Sequence, residues 1–194
     1  MMDLNVAPQD CKDCFLHNER TNVVNYDGDP YSPLAFVGEG PGREEDESGK
    51  PFVGRAGKKL TKCLRMLRVT RDMILIFNIV KCRPPNNRRP MSYEVKACEK
   101  YLIKQFIRSK NLKVIMALGR TSWTNLTGED IPVIANRGKD VKIGKYTYIY
   151  TYHPSYIARK NNIGITKEFL SDIKKGIKLS GLRRKKWNWK KLLR

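Results

Sequence analysis

The chain of 194 residues carries 39 Lys and Arg against 19 Asp and Glu, which gives a formal net charge of +20. One compact domain suits this length, and no apolar run approaches the roughly 18 residues of a membrane-spanning helix. Residues 1–10 contain no basic side chain and no apolar stretch of signal-peptide length, so we expect an intracellular protein. The charge predicts a polyanionic partner, with nucleic acid ahead of an acidic membrane surface, and general solubility is the alternative.

Four short apolar runs predict β-strands, and each ends at a residue that interrupts the run: residues 34–37, 74–77, 114–118 and 146–152. Apolar residues at helical spacing predict helices at residues 58–68, 95–109, 121–126 and 165–179. Strands that alternate with helices favour a parallel sheet covered on both faces. The predicted fold is a single-domain α/β/α sandwich around a four-stranded, mainly parallel sheet over residues 1–181. A basic, tryptophan-containing tail follows at residues 182–194.

The residues directly after the predicted strands are unusual for their positions. They are the pair Gly38 and Glu39, then Asn78, Gly119 and His153. In open parallel sheets, ligands bind beyond the carboxyl ends of the strands. We therefore expect the functional site at this edge of the sheet.

Five cysteines have a spacing that suggests metal binding. An odd number in an intracellular chain argues against a disulfide framework. Cys11 and Cys14 form a C-x-x-C pair, and Cys82 and Cys98 lie downstream with fifteen residues between them. Four thiolates could hold a structural zinc ion or an iron–sulfur cluster, or they could be four unrelated buried cysteines. Cys63 lies among leucines on a predicted helix, where we expect a core residue.

Three segments resemble the signature sequences of family-4 uracil-DNA glycosylases. They are GEGPGREED with its continuation GKPFVGRAG (residues 38–57), NIVKCRPP (78–85) and TYHPSY (151–156). The four candidate cysteine ligands also match the cluster ligands of that family in order and approximate spacing. The similarity covers residues 11–159, and four matches in the same order are more specific than any one of them.

The resemblance implies a uracil-DNA glycosylase fold and a DNA repair enzyme that cuts the bond between uracil and deoxyribose. It implies a [4Fe–4S] cluster of structural role, with zinc as the alternative, held by Cys11, Cys14, Cys82 and Cys98. The expected partner is uracil-containing DNA, either double- or single-stranded. We expect the protein to be a monomer and to bind no membrane.

Three residues suit the recognition of a base that has been flipped out of DNA. Phe52 offers a ring on which the base can stack, although it could be an ordinary core residue. The Asn78 amide can match uracil O4 and N3–H at once, with a turn cap as the alternative. His153 can donate a hydrogen bond to uracil O2, where negative charge builds as the bond breaks, or it could be an ordinary loop histidine.

Two carboxylates complete the predicted pocket. By resemblance, Glu39 belongs to the catalytic loop and positions water, whereas Glu45 lies on the C5 side of uracil and excludes the thymine methyl group. The residues alone do not decide which carboxylate has which role. Gly38 and Gly40 are assigned to the pocket on this loop, and Gly40 and Gly42 are expected to allow close backbone approach to the base.

The loop after His153 is predicted to contact DNA through Ser155, Tyr156, Ile157 and Arg159. Tyr156 or Ile157 would fill the gap left by the flipped base, and Arg159 would bind phosphate. A related group traps its product through a histidine in the segment corresponding to residues 86–91. This chain has no histidine there, so we expect ordinary turnover.

Two alternatives come from other functional classes. The first is a glycosylase fold that binds DNA without catalysis, as a clamp or replication accessory protein. The second is a redox protein, which would not explain Asn78 or the loop at His153. The tail could bind DNA through its basic and Trp residues, or it could form a helix that docks on the core.

Overall fold

The computed structural model of the protein describes residues 3–183. Within them, six strands form one sheet: β1 (Asp27–Gly28), β2 (Leu34–Gly38), β3 (Leu75–Asn78), β4 (Val114–Leu118), β5 (Asp140–Ile143) and β6 (Tyr146–Thr151). Their order across the sheet is β1-β3-β2-β4-β6-β5. The four inner strands are parallel to one another, so their carboxyl ends meet at one edge.

The prediction of four strands was incomplete. All four predicted strands are present and form the parallel centre, but β1 and β5 pair antiparallel with the two outer members of this set. β1 is two residues long, and β5 is mostly exposed and polar. Neither strand contains the apolar run that marks a buried strand in a sequence, because an edge strand needs no such run.

Seven α-helices lie within the described residues: α1 (Arg43–Ser48), α2 (Arg55–Met66), α3 (Ser92–Arg108), α4 (Arg120–Thr127), α5 (Val133–Asn136), α6 (Pro154–Lys160) and α7 (Ile163–Ser180). Single 3₁₀ turns occur at Phe15–Asn18, Arg71–Met73 and Pro85–Asn87. The four predicted helices correspond to α2, α3, α4 and α7. No helix in residues 3–183 is long and apolar enough to cross a membrane.

Two apolar cores cover the two faces of the sheet, as expected for an α/β/α sandwich. The first contains Ala35 and Val37 of β2 together with Phe106 of α3, and the second contains Leu34 and Phe36 of β2. Successive residues of β2 point to opposite faces and are all buried, which is why the strand reads as a continuous apolar run. Helices α2, α6 and α7 supply the second core, whereas α3 and α4 supply the first.

This architecture brings four loops to the carboxyl edge of the sheet, after β2, β3, β4 and β6. The N-terminal segment packs against the α3 side, where Leu4 and Leu16 are buried in the first core. Of the predicted tail, residues 184–194 lie outside the described residues.

Candidate active site

A cavity of about 360 Å³ opens at the carboxyl edge of the sheet. Its volume falls in the range of small-molecule sites, about 300–1,000 Å³. Among the predicted residues, it is lined by Glu39, Gly40, Glu45, Phe52, Asn78, His153, Ser155 and Arg159. The segments that follow β2, β3 and β6 therefore bring together residues that are up to 120 positions apart in the chain, counted from Glu39 to Arg159, whereas Gly119 after β4 does not line the cavity.

The loop between α1 and α2 presents Phe52 in an unusual backbone conformation. Its φ angle is +55°, a left-handed value that costs a bulky residue roughly 1–3 kcal/mol. The Arg71 guanidinium holds the loop by donating to the carbonyl oxygens of Pro51 at 2.7 Å and Phe52 at 2.8 Å. Asp27 in turn accepts from Arg71 Nε at 2.9 Å. The ring of Phe52 is thereby placed 5.9 Å from the imidazole of His153, centroid to centroid.

Asn78 ends β3 with its side-chain amide buried and unsatisfied. The residue is 1% exposed, and neither Oδ1 nor Nδ2 has a hydrogen-bond partner within the described residues. A Cβ atom on Gly38 would lie 2.6 Å from Asn78 Oδ1 and 2.4 Å from the Phe52 ring, so only glycine fits beside the amide. Buried polar groups are normally hydrogen-bonded, so an unpartnered amide on a residue that lines a cavity indicates a ligand that completes it.

His153 is held as one neutral tautomer. Its Nδ1 accepts the backbone N–H of Ser155 at 3.2 Å, and it also lies 2.8 Å from Ser155 Oγ. A backbone N–H can only donate, so the proton of the neutral ring is on Nε2, which stays available to donate into the cavity. Burial, and then the charge of Arg159, lowers the pKa of His153 to about 4. The imidazole is therefore neutral near pH 7.

The two predicted carboxylates occupy different environments on the cavity wall. Glu45 accepts backbone N–H groups from Gly42 at 3.1 Å, Val53 at 2.9 Å and Gly54 at 2.7 Å. It thus ties the two halves of the first signature together. Glu39 is half-buried, and in residues 3–183 its carboxylate has no hydrogen bond or ion pair. The free carboxylate of Glu39 is the one that can bind water or a developing positive charge.

A second, smaller cavity brings the four candidate cysteine ligands together. Cys11, Cys14, Cys82 and Cys98 all line it. Cys63 lies apart from them, because it is buried in the apolar core on the other face of the sheet. The prediction that Cys63 is a core residue is therefore confirmed.

The surroundings of these sulfurs suit thiolate ligands. The backbone N–H of Lys81 donates to Cys98 Sγ at 3.3 Å, and Arg20 Nη1 donates to Cys82 Sγ at 3.5 Å. Burial raises the pKa of the Cys82 thiol to about 12, so a thiolate at this position requires a cation to stabilise it. Four sulfurs, two of them with N–H donors, fit an iron–sulfur cluster or a metal ion.

The comparisons with known proteins agree with this geometry. The family model described as "Uracil DNA glycosylase superfamily" matches residues 26–174. The chain is 44% identical to the type-4 uracil-DNA glycosylase of Thermotoga maritima over 167 residues, which is 85% of this chain and 86% of that protein. It is 42% identical to the enzyme of the same name from Sulfurisphaera tokodaii over 175 residues, covering 85% of this chain and 78% of that protein. This chain belongs to the type-4 uracil-DNA glycosylase family.

The assignment to the type-4 family confirms the resemblance found in the sequence and does not depend on one relative. A third match, to the type-4 uracil-DNA glycosylase of Archaeoglobus fulgidus, is 37% identical over 185 residues and covers 88% of each chain. Residues 26–174, which the family model matches, include every predicted residue of the larger cavity.

One predicted DNA contact needs correction in this type-4 family member. Ile157 is fully buried in the second apolar core, so its side chain is not available to enter DNA. Residues 154–160 form α6, and the helical period turns Ile157 toward the sheet. Tyr156 is half-buried and stacked on Tyr152 at 5.3 Å, whereas Ser155 and Arg159 line the cavity.

Six lining residues were not among the predicted site residues: Pro41, Gly42, Ala56, Pro84, Asn87 and Arg88. The last three lie on the loop after β3. Arg88 is fixed by Glu94, whose buried carboxylate accepts from both terminal nitrogens of the guanidinium at 2.6 and 2.8 Å. Asn87 has a left-handed φ of +54°, which turns the chain here. The three arginines and three prolines in residues 83–90 were the available signal for this loop.

Proposed function

We propose that this protein removes uracil from DNA by hydrolysing the N-glycosidic bond, which leaves an abasic site. The observation that carries the proposal is the Asn78 amide, which is buried and unpartnered on a residue that lines the larger cavity. Membership of the type-4 uracil-DNA glycosylase family supports the same substrate.

The cavity residues account for recognition of a flipped uracil. Asn78 Nδ2 can donate to uracil O4 while Oδ1 accepts from N3–H, and cytosine would place an amine against Nδ2. Phe52 supplies a ring for stacking, which contributes about 1–3 kcal/mol per base. Glu45 lies on the cavity wall, and we assign it to the C5 side, where it excludes the methyl group of thymine.

The same residues account for bond cleavage. As the bond breaks, negative charge develops on uracil O2, and His153 Nε2–H donates to it from a neutral ring. The sugar becomes oxocarbenium-like, and the Glu39 carboxylate stabilises it or orients the attacking water. Because His153 is already oriented by Ser155, this donor needs no reorganisation during the reaction.

We assign a [4Fe–4S] cluster to Cys11, Cys14, Cys82 and Cys98. Four thiols in one cavity support it, as does the family assignment. Zinc held by the same four thiolates is the alternative. When bound, the cluster ties the N-terminal segment to the loop after β3 and takes no part in the chemistry. Analysis of iron, acid-labile sulfide and zinc in anaerobically purified protein distinguishes the two groups.

The DNA-facing surface is assigned to residues at the cavity mouth. Arg159 and Arg88 supply positive charge there, and Ser155 offers a hydroxyl group. Tyr156 is the remaining candidate for the side chain that fills the gap in the duplex. We expect the protein to act as a monomer, which light scattering coupled to gel filtration would test.

The Asn78→Asp variant tests whether Asn78 recognises uracil. The aspartate is isosteric but presents no donor to O4, so we expect uracil release to fall by about 10²-fold or more while DNA binding stays within about threefold. The measurement is single-turnover release of uracil beside a filter-binding assay. Near-normal release would remove Asn78 from this role.

A non-catalytic clamp is the alternative, and the family assignment does not favour it. A clamp would not need an open Asn78 amide, an oriented His153 and a free Glu39 carboxylate in one cavity. Tight binding of uracil-containing DNA without any base release would favour the clamp.

A further inference from the structure

Lys81 lines the smaller cavity, which holds the four candidate cysteine ligands, and also contacts Asn78 of the larger cavity. It is 1% exposed and belongs to the largest fully buried side chains of the described residues. Its ammonium group donates to the main-chain oxygen of Asn78 at 2.6 Å, and its backbone N–H donates to Cys98 Sγ at 3.3 Å. One residue thus contacts both the uracil-reading residue and a candidate cluster ligand.

The buried ammonium lacks a carboxylate partner. In the part of the chain that the structure describes, its one hydrogen-bond acceptor is the carbonyl of Asn78, and no ion pair forms. The ring of Phe77 lies 5.6 Å from Nζ. A buried cation is costly unless an opposite charge compensates it. The negative charge that acts on this ammonium can come from the sulfurs of Cys98 and Cys82. Asp13, which lines the same cavity, is already paired with Lys100 at 2.8 Å.

We propose that Lys81 is a positioning residue whose charge is balanced by the cluster thiolates and whose hydrogen bond fixes Asn78, so that uracil recognition depends on the cluster. The proposal rests on the assignment of a [4Fe–4S] cluster in the proposed function. A [4Fe–4S] cluster with four thiolate ligands carries a net negative charge. It therefore supplies the negative charge that the protein interior does not provide to the Lys81 ammonium. Lys81 then holds the end of β3 at the position where the amide meets the base.

The surrounding backbone favours such a connection. Ile79 N–H donates to Gly38 O at 2.9 Å, and Val80 N–H donates to Glu39 O at 3.2 Å. Lys81 O accepts from Val24 N–H at 2.8 Å. The segment from Asn78 to Lys81 is therefore bonded to the catalytic loop at one end and to the N-terminal segment at the other. A change at Lys81 can therefore reach Asn78 directly through the hydrogen bond from Nζ, and it can also affect the backbone contacts on either side.

The test uses Lys81→Met, which keeps the length of the side chain and removes its charge. Lys104→Met is the matched control, because Lys104 is exposed on α3 and its loss changes the net charge equally. Each anaerobically purified protein is assayed for iron and sulfide content, and for the rate at which a chelator bleaches the cluster absorbance. Uracil release is measured as kcat and KM per loaded cluster.

We expect Lys81→Met to lose its cluster about tenfold faster than the wild-type protein, and kcat/KM per cluster to fall by about 10- to 100-fold, since partners of ligands typically have effects of this size. Lys104→Met should match the wild-type protein in both assays. Unchanged cluster loss in Lys81→Met would overturn the charge-balancing role. Faster loss with unchanged kcat/KM per cluster would overturn the link to Asn78.

Lys81→Arg keeps the proposal falsifiable if the Met variant does not fold. Arginine retains the positive charge but not the geometry of a single ammonium. The rate of cluster loss should therefore return to within about threefold of the wild-type rate, while the rate of uracil release stays reduced. The charge argument would be overturned if Lys81→Arg lost its cluster as fast as partly unfolded protein does in the presence of the chelator. If wild-type protein releases no uracil, the proposed function fails, and the cluster-loss assay still tests the charge-balancing role separately.

Discussion

Replacement of Arg71 by Met should lower activity through Phe52, although Arg71 is not among the residues that line the uracil cavity. The guanidinium holds the loop of Pro51 and Phe52 by two hydrogen bonds at 2.7 and 2.8 Å, and it pairs with Asp27. Without these hydrogen bonds, the Phe52 backbone can relax from its left-handed conformation, which costs roughly 1–3 kcal/mol to maintain. The stacking ring should then leave its place beside the base.

The stacking energy limits the size of the effect. Base–aromatic stacking contributes about 1–3 kcal/mol, so the loss in kcat/KM should lie between about 5- and 150-fold. The Arg71 and Asp27 side chains are 21% and 28% exposed, so solvent partly screens their pairing. We therefore expect the free energy of unfolding to fall by only about 1–3 kcal/mol, and the variant should fold.

A double-mutant cycle provides the assay. Single-turnover uracil release is compared for Arg71→Met, Phe52→Ala and the double variant, with Arg65→Met as a control because Arg65 is exposed on α2. If Arg71 acts through Phe52, the double variant should be no slower than Phe52→Ala alone. Additive losses would refute the reasoning, as would wild-type activity in Arg71→Met.

Two further predictions concern protons and metal. The pKa of His153 is lowered to about 4, so the native state binds fewer protons than the unfolded chain, and the free energy of unfolding should decline as pH falls from about 6.5 towards 4. NMR titration of the ring, assigned with a His153→Gln variant, should show a midpoint near 4, and a midpoint near 6.5 would contradict the burial argument. Cys98→Ser should lose bound iron, whereas Cys63→Ser should retain it, because Cys63 lies on the other face of the sheet. Iron analysis of both variants checks this, and equal iron loss would contradict the ligand assignment.

The parallel centre of the sheet could be predicted because its strands are buried on both faces. Residues 34–37 and 114–118 are uniformly apolar for that reason, and the residue after each strand then falls at the carboxyl edge. The catalytic candidates were found from this rule together with the resemblance to a known family. Asn78 stood out because a polar residue at the end of an apolar strand needs a partner, and His153 because it directly follows a predicted strand.

The residues that support the site could not be predicted in the same way. Arg71 and Lys81 contact the backbone of pocket residues, and a backbone carbonyl gives no signal in the sequence. For Ile157 the sequence was misleading, because its position in the loop after His153 suggested a DNA contact. The helix that begins at Pro154 turns the Ile157 side chain into the core, and helical direction over seven residues is not visible from the motif alone.

Release of free uracil from a labelled oligonucleotide with a single uracil tests the account most directly, beside matched strands that carry thymine or cytosine in its place. The protein is purified without oxygen, and strand breakage is read after alkali. The account predicts breakage only in the uracil strand, with intact thymine and cytosine strands. Protein that contains the cluster and binds the uracil strand, yet leaves it unbroken, would contradict the assignment of a glycosylase.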